Sequence, residues 1–399
     1  MRHLYYRTYQ KVMKPIIKYM PWRTPLVFEG VHSLDRLPGL VSAAGIRRLF
    51  IVTDKGILET GLMDRMMEQL EMRGIRCTVY SDTESNPDVQ NVEAAVLQYH
   101  DQQCEGIVAF GGGSAMDCAK CVGARVARPE KTLSDMRGVF KVRKNMPPFF
   151  AVPTTSGTGS EGTLAAVISN RDTRDKYALM DTSLIPHVAI IDPFLTLDLP
   201  QEVTAMTGMD ALTHAVESYI GRSSTRQTEA YAKEAVALIF GNLEAAYDNG
   251  HDLKAREGMQ QAALKAGLAF TRAYVGNIHA IAHTLGGFYN VPHGLANAVI
   301  MPHVLEYYGS TVYKPLSELA DIAEVGHLTD TEQMKAAKFI GAVRRMNEKM
   351  GVPDRIEGIK ERDIPEMVEN AYHEANPLYP VPVIFDRSDF ENVYHEIRK

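Results

Sequence analysis

Two pairs of polar residues stand four positions apart in otherwise apolar stretches of the chain. Asp210 and His214 form the first pair, His279 and His283 form the second, and His293 follows closely. Residues four apart project from one face of a helix. A carboxylate and several imidazoles on apolar helices are costly to bury unless they are paired or bind a metal ion. The spacing therefore indicates a metal site.

Any one of these histidines, taken alone, is more typical of a core or surface histidine whose hydrogen bonds are satisfied. Two pairs of the same spacing together with His293 would need several separate structural explanations. Nitrogen and oxygen donors without sulfur suit Fe²⁺, Mn²⁺, Zn²⁺ or Ni²⁺ better than they suit a structural zinc site.

Three consecutive glycines suggest a second kind of site. Gly111, Gly112, Gly113 and Ser114 directly follow a predicted buried strand and open a predicted helix. Bare backbone N–H groups at a helix N-terminus can approach a phosphate closely. The alternative is a tight turn, with Ser114 and Asp117 spaced as a capping box of that helix. The usual dinucleotide fingerprint with its downstream acid is absent.

Two further segments could contact the same nucleotide. Asp54 ends a predicted strand, where a carboxylate could accept ribose hydroxyls and repel a 2′-phosphate. The run of hydroxyl residues and glycines that contains Thr154, Thr155 and Thr158 follows another predicted strand. Such a loop can approach a ribose or a phosphate. By position alone, a strand-end aspartate is usually a solvated loop residue, and such clusters are usually turns.

Residues 26–195 show alternating strand and helix patterns, and the predicted strands and helices would position these segments. The predicted buried strands are Leu49–Val52, Cys77–Tyr80, Gly106–Phe110, Phe149–Val152 and Val188–Ile191. Amphipathic stretches at 57–73 and 88–100 separate several of them. This alternation of strands and helices predicts a parallel sheet covered by helices.

The chain after Pro200 has helical periodicity throughout. Predicted helices cover 201–220, 226–248, 254–270, 278–287, 315–325, 330–350, 363–375 and 387–398. We therefore expect an α/β domain over 26–197 and an all-helical domain over 198–399, with prolines marking the boundary.

Composition excludes several classes of protein. A chain of 399 residues with 45% hydrophobic and 23% charged residues is neither a small scaffold nor disordered. A net charge of −6 argues against nucleic acid as a partner. Four cysteines are too few for a disulfide framework, and we expect a reducing cytoplasm. Cys118 and Cys121 lie within the helix after the glycines, where filling of the core is the expected role.

The first 25 residues carry six of the 43 Lys and Arg residues and no acid, whereas the remainder of the chain is acidic. Apolar residues at roughly helical spacing interleave with these charges. Such a helix could lie on an anionic membrane or pack against its own acidic body. We expect Pro15 to interrupt it, and this favours packing over membrane contact.

Four of the stretches above, taken together, resemble the iron-containing (group III) alcohol dehydrogenases. The resemblance runs in order over roughly residues 45–310. Its motifs are Gly111–Asp117, Pro153–Glu161, Gly208–Glu217 and His279–His293. The architecture that it implies is similar to dehydroquinate synthase. An α/β dinucleotide-binding domain would precede an all-α metal-binding domain, with the metal and the nicotinamide in the cleft between them.

The resemblance also implies roles for individual residues. The implied metal ligands are Asp210, His214, His279 and His293, and His283 falls on a nearby histidine that is not a ligand. The implied cofactor-binding residues are Asp54, Gly111, Gly112, Gly113, Ser114, Asp117, Thr154, Thr155 and Thr158. An acid at position 54 is typical of members that prefer NAD.

The implied reaction is hydride transfer between NAD(H) and a primary alcohol or diol, or the corresponding aldehyde. Fe²⁺ is the expected ion, with zinc, manganese or nickel as alternatives. It would act as a Lewis acid on the substrate oxygen, while His283 is a candidate to pass the alcohol proton to solvent. We also expect a homo-oligomer, such as a dimer. The alternatives are a lyase or cyclase of the dehydroquinate-synthase kind that uses NAD transiently, and a metallohydrolase.

Three segments depart from the pattern that the resemblance implies. Phe28–Val31 replaces a common Phe-Gly-x-Gly turn and follows the basic extension, which makes subunit pairing through that strand less secure. Tyr274–Ile278 replaces a commoner Gly-Leu-Gly-Leu-Val run. Asn376–Pro382 replaces the usual polar continuation after Asn-Pro. Substrate preference is the property that these departures affect most.

Overall fold

The described part of the chain comprises residues 2–19, 22–171 and 175–399 of a computed structural model. Its internal contacts divide it into two units. The first, here called the α/β unit, is Trp22–Asp198. The second, here called the helical unit, joins α1 (Arg2–Tyr19) to Leu199–Lys399.

The α/β unit contains nine described strands in two sheets. They are β1 Leu26–Glu29, β2 Arg48–Val52, β3 Arg76–Tyr80, β4 Gly106–Gly111, β5 Gly138–Val139, β6 Phe149–Pro153, β7 Ala165–Asn170, β8 Asp175–Met180 and β9 Val188–Ile191. The main sheet has the order β1-β9-β6-β4-β2-β3, and all of its pairs are parallel. This confirms the predicted parallel sheet, whose five expected strands are all present.

Five helices accompany these strands. They are α2 Leu37–Ala43, α3 Lys55–Glu59, α4 Asp64–Met72, α5 Val89–Asp101 and α6 Gly113–Ala127. Alternate residues of the central strands enter opposite cores: Phe50 and Val52 pack in one cluster, while Ile51 packs in the other. Burial on both faces explains why these strands read as continuous apolar runs.

The structure adds elements that the apolar pattern does not predict. β1 pairs with β9 at one edge of the main sheet. A small second sheet has the order β5-β8-β7, with β7 and β8 antiparallel. The predicted helical stretch at 57–73 is two helices, because a turn at 60–63 separates α3 from α4.

Nine helices follow the boundary in the helical unit. They are α7 Gln201–Ile220, α8 Arg226–Asp248, α9 Leu253–Ala273, α10 Asn277–Tyr289, α11 His293–Tyr308, α12 Tyr313–Ile322, α13 Glu332–Lys349, α14 Ile364–Ala375 and α15 Arg387–Ile397. This confirms the predicted all-helical character. Only α11 lies outside the predicted helices. Its residues 296–302 are all buried, so its apolar positions show no helical period.

The basic N-terminal segment forms one helix, α1, that packs on the helical unit. The expectation that Pro15 interrupts this helix is wrong, because α1 continues through it. Pro15 is exposed, so water can satisfy the carbonyl that loses its helical partner. Tyr6, Arg7 and Gln10 contact residues near the end of the chain. In the part of the chain that the structure describes, each helix is too short or too polar to cross a membrane.

Candidate functional site

Three helices of the helical unit bring a carboxylate and three imidazoles together. Asp210 and His214 project from α7, His279 from α10 and His293 from the first position of α11. One donor atom from each lies within 4.8 Å of all the others. The first three side chains are buried and His293 is partly exposed. The helical spacing and the fold therefore assemble the four predicted ligands into one cluster.

The amide of Asn297 marks the point on which three of these donors converge. Its Nδ2 lies 2.7 Å from Asp210 Oδ1, 3.3 Å from His279 Nε2 and 3.2 Å from His293 Nε2. A carboxylate oxygen and two ring nitrogens thus converge on a single NH₂ group, which can only donate. A divalent cation needs the same convergence of lone pairs, so the donor set fits a resident metal ion. Asn297 is absent from the predicted site residues.

Glu217 fixes the orientation of His279. Its carboxylate oxygen Oε2 lies 2.6 Å from His279 Nδ1 and also accepts the N–H of Gly276, while Oε1 accepts the N–H of Ile278. Because a carboxylate can only accept hydrogen bonds, His279 Nδ1 must be the donor in this contact. Nε2 therefore keeps its lone pair and faces the cluster. Such carboxylate–histidine pairs typically support protein metal sites.

Two close contacts fix the positions of the side chains in the cluster. The ring of His214 stacks between Phe270, at a centroid distance of 4.2 Å, and His279, at 4.5 Å. A Cβ at Gly294 would lie 2.2 Å from the carbonyl oxygen of Met206. Only glycine permits this approach of α11 to α7, which brings His293 close to the Asp210 helix.

His283 lies beside the cluster and has a carboxylate partner, Glu374, which in turn accepts from a phenol. Its ring stacks on His293 at a centroid distance of 5.1 Å. His283 Nδ1 lies 2.6 Å from Glu374 Oε1, and the hydroxyl of Tyr379 donates to the same oxygen at 2.8 Å. Burial raises the pKa of Tyr379 well above its ordinary value, so the phenol stays protonated and acts as a donor.

The predicted nucleotide segments lie at the carboxyl ends of adjacent strands in the α/β unit. Asp54 follows β2, and Gly111 ends β4, which pairs with β2. Asp54 also caps α3, since Oδ1 accepts the N–H of Ile57 at 2.9 Å. A Cβ on Gly111 would lie 3.7 Å from Asp54 Oδ2. Ligands of parallel sheets typically bind at this edge.

Neighbouring side chains pack closely on all three glycines. Gly111 has φ +151°, and a Cβ there would lie 2.8 Å from Ala115. A Cβ on Gly112 would lie 3.2 Å from Thr155, and one on Gly113 would lie 2.6 Å from Thr158. Residues 112–114, at the start of α6, remain partly exposed. Such a helix start can receive a phosphate.

The predicted capping box of α6 is wrong. The helix begins at Gly113 with Gly112 as its N-cap and no side-chain cap, so Ser114 already lies inside the first turn. Asp117 instead accepts hydrogen bonds from the Ser160 hydroxyl at 3.3 Å and the Val167 N–H at 3.1 Å. Burial raises the pKa of Asp117 to about 6.

A buried lysine, absent from the predicted site residues, supports the same loop. Lys120 Nζ donates to the carbonyl and hydroxyl oxygens of both Ser160 and Thr163 and to the Ala165 carbonyl, at 2.7 to 2.9 Å. Burial lowers the pKa of Lys120 to about 8 and raises that of Glu161 to about 7. These contacts fix the far end of the loop that carries Thr154, Thr155 and Thr158.

Cys118 and Cys121 are fully buried on α6 and form no disulfide. Burial raises the pKa of Cys118 to about 12 and that of Cys121 well above its ordinary value. Thiols held in the protonated form are poor nucleophiles and poor metal ligands. Their environment supports the expected role in core filling.

The α/β unit has a parallel sheet with a glycine-rich strand end, and the helical unit gathers one carboxylate and three imidazoles. Together these features are typical of metal-dependent dinucleotide oxidoreductases. Family comparison agrees with this class. The family model described as "Iron-containing alcohol dehydrogenase" matches residues 25–193. The model described as "Fe-containing alcohol dehydrogenase family, C-terminal" matches residues 204–398. This chain belongs to the iron-containing alcohol dehydrogenase family.

Individual relatives agree. The chain is 40% identical to 1,3-propanediol dehydrogenase of Klebsiella pneumoniae over 356 residues, which is 88% of this chain and 91% of the relative. It is 37% identical to alcohol dehydrogenase 4 of Saccharomyces cerevisiae, covering 90% and 92%. A crystal structure of 1,3-propanediol oxidoreductase superposes with a TM-score of 0.90 at 34% identity, over 94% of this chain and 99% of the other.

The chain is therefore an enzyme, an NAD-dependent oxidoreductase that acts on alcohols or diols and uses a divalent metal ion, typically iron. Membership of this family decides between the three activities that the sequence left open. The lyase or cyclase and the metallohydrolase are not the activities of the family to which the chain belongs.

Proposed function

We propose that this protein interconverts a primary alcohol or short diol and its aldehyde, with Asp210, His214, His279 and His293 as ligands of one Fe²⁺. The observation that carries the proposal is the convergence of their donor atoms within 4.8 Å. The printed name of the Klebsiella pneumoniae relative supports a small diol as substrate. The helical unit would be the metal and substrate domain, and the α/β unit would be the dinucleotide-binding domain.

The nucleotide would bind at the carboxyl edge of the main sheet. Gly111, Gly112, Gly113 and Ser114 would receive the pyrophosphate, because they lie at the start of α6, which has no side-chain cap and is partly exposed. Thr154, Thr155 and Thr158 would line the bound nucleotide, and Asp54 would accept ribose hydroxyls. Asp117, whose carboxylate binds Ser160 and Val167, would contribute by holding that loop.

When bound, the divalent ion supplies Lewis acidity toward the substrate oxygen, and NAD⁺ is the acceptor of the hydride. Within the chain, His283 would receive the hydroxyl proton. Because its Nδ1–H donates to Glu374, Nε2 carries the lone pair that can take the proton. The side chain is 14% exposed, so the proton can then leave to water.

NADH formation is the direct test. Stripped protein would be reloaded with Fe²⁺, Zn²⁺, Mn²⁺ or Ni²⁺ and assayed with primary alcohols and short diols. We expect NADH and aldehyde to appear in equal amounts and only with a divalent ion. A product that accumulates without net NADH would contradict the proposal and indicate a lyase or cyclase.

His283→Ala tests the proton acceptor. We expect the variant to keep its metal and to lose roughly 10²-fold in kcat, as typical of lost general-base transfer. His303→Ala is the matched control, because His303 also lies in the helical unit but faces Asp354 and Glu396. Loss of metal in His283→Ala would make His283 a ligand instead.

We also propose that the protein is a cytoplasmic homo-oligomer. β1 is an edge strand of the main sheet, and its Leu26 is 57% exposed. Exposed edge strands commonly pair with another chain. Light scattering coupled to size-exclusion chromatography checks this, since a monomer at micromolar concentration would contradict it. The four unpaired cysteines support a reducing compartment.

A further inference from the structure

The inner face of α1 holds a proline-rich segment near the end of the chain, residues 376–382, here called the 376–382 loop. Arg7 donates to the carbonyls of Val381 at 2.7 Å and Pro382 at 2.8 Å. Gln10 donates to the carbonyls of Tyr379 at 2.7 Å and Pro377 at 3.2 Å. Four contacts of this kind make α1 a main support of the loop.

The loop needs outside donors because of its sequence. Its three prolines, at 377, 380 and 382, have no N–H, so the loop can build little hydrogen-bonded structure of its own. Buried carbonyls must nevertheless find partners. Arg7 and Gln10 donate to four of them, and the N–H of Arg222 donates to the carbonyl of Pro380 at 2.7 Å. Within the loop, the N–H of Val381 donates to the carbonyl of Tyr379 at 2.9 Å.

The loop in turn leads to His283. Tyr379, whose carbonyl accepts from Gln10, donates its hydroxyl to Glu374 Oε1, and the same oxygen accepts from His283 Nδ1. Tyr379 thus links α1 to the histidine beside the metal cluster, because its backbone is held by Gln10 and its side chain by Glu374. Both α1 and His283 belong to the helical unit.

α1 and the 376–382 loop differ in their relation to the family models. The models begin at residue 25, so α1 lies outside the matched regions, whereas the 376–382 loop lies within the C-terminal match over residues 204–398. A segment outside the family models therefore supports a loop within them.

We propose that α1 is a positioning element of the active site, in which Arg7 and Gln10 fix the 376–382 loop so that Tyr379 and Glu374 hold His283 in its working orientation. The inference rests on the proposed role of His283. Arg7 and Gln10 are positioning residues, since they act through the loop.

The first test uses Arg7→Met and Gln10→Leu as separate variants, because each leaves the other anchor in place. We expect kcat per metal-loaded site to fall about 10-fold, a size typical of coupling through packed networks. The metal content and the KM for NAD⁺ should not change. Lys11→Met is the matched control, since it removes a positive charge from the exposed side of α1 and should behave like the unaltered enzyme.

The second test is a double-mutant cycle with Glu374→Gln. If α1 acts through Glu374, adding Arg7→Met to Glu374→Gln should lower kcat no further. A merely structural role of α1 would lower the melting temperature of both variants but would leave the two effects on kcat multiplicative. Multiplicative effects, or an unchanged kcat in both Arg7→Met and Gln10→Leu, would overturn the proposal.

The same measurements separate this inference from the proposed function. If His283→Ala and Glu374→Gln leave kcat unchanged, the proposed role of His283 fails and the inference fails with it. If those two variants are impaired while Arg7→Met and Gln10→Leu are not, the inference alone fails. Tyr379→Phe, which removes one hydroxyl, should reproduce the loss of kcat without disturbing the docking of α1.

Discussion

The two units build their sites in opposite ways. In the helical unit, large polar side chains converge, and each is held by a buried partner such as Glu217 or Asn297. In the α/β unit, the candidate site is made by the absence of side chains at Gly111, Gly112 and Gly113. A metal needs donor atoms at fixed points, whereas a phosphate needs access to backbone N–H groups. Substitutions should therefore act differently in the two units.

The largest effect should come from removing a ligand in the helical unit. His279→Ala or His214→Ala should abolish metal binding and lower turnover by about 10³-fold or more, because a Lewis acid supplies several kcal/mol of transition-state stabilisation. Elemental analysis and kcat measured on the same preparation check this. An unchanged metal content in both variants would refute the proposed ligand set.

A smaller effect is expected from the residue that orients a ligand. Glu217→Gln should weaken metal affinity by roughly 10 to 100-fold, since partners of metal ligands typically contribute that much. Competition with a chelator measures it. Glu202→Gln, at the exposed start of the same helix, is the control and should bind metal normally. Equal affinities in the two variants would mean that Glu217 serves only to cap α10.

In the α/β unit, Asp54→Asn should change cofactor preference rather than turnover. The amide keeps the cap of α3 but removes the charge that would repel a 2′-phosphate, so the ratio of kcat/KM for NAD⁺ to that for NADP⁺ should fall about 10-fold. Asp82→Asn on the neighbouring strand end is the control. If the unaltered enzyme already prefers NADP⁺, the assignment of Asp54 is wrong.

The smallest effect on activity is expected from Glu161→Gln. Burial raises the pKa of Glu161 from 4.5 to about 7, so the folded state favours the neutral acid. The neutral carboxyl of Glu161 contributes to the free energy of unfolding fully below pH 4.5, and this contribution is lost as the pH rises through 7. The loss is about 3 kcal/mol at most. The variant should therefore gain melting temperature relative to the unaltered protein at pH 8 and not at pH 4.5. A constant difference across this range would contradict the shift.

The sequence predicts those parts of the molecule that are marked by a pattern of neighbouring residues. Buried strands such as Gly106–Gly111 are continuous apolar runs, and Asp210 and His214 are conspicuous on an apolar helix. Glu217 has a signal of the same kind, because it is an acid seven residues after Asp210 on that helix. Reading the full face of α7 would have identified it.

Other parts depend on contacts between distant segments and could not be predicted in this way. Glu374 lies 91 positions from His283, and Lys120 lies 40 positions or more from the carbonyls that it binds. Nothing local distinguishes these residues from ordinary charged positions. α1 likewise continues through Pro15, because local propensity is outweighed by the docking of its inner face.

The docking of α1 also constrains the order in which the chain can fold during synthesis. α1 precedes the α/β unit in the chain, yet Arg7 binds carbonyls 374 and 375 positions later. The whole α/β unit, Trp22–Asp198, is translated between these partners, and domains generally fold as they emerge. The helical unit is therefore discontinuous in sequence. α1 must therefore remain without these partners until the 376–382 loop has left the ribosome.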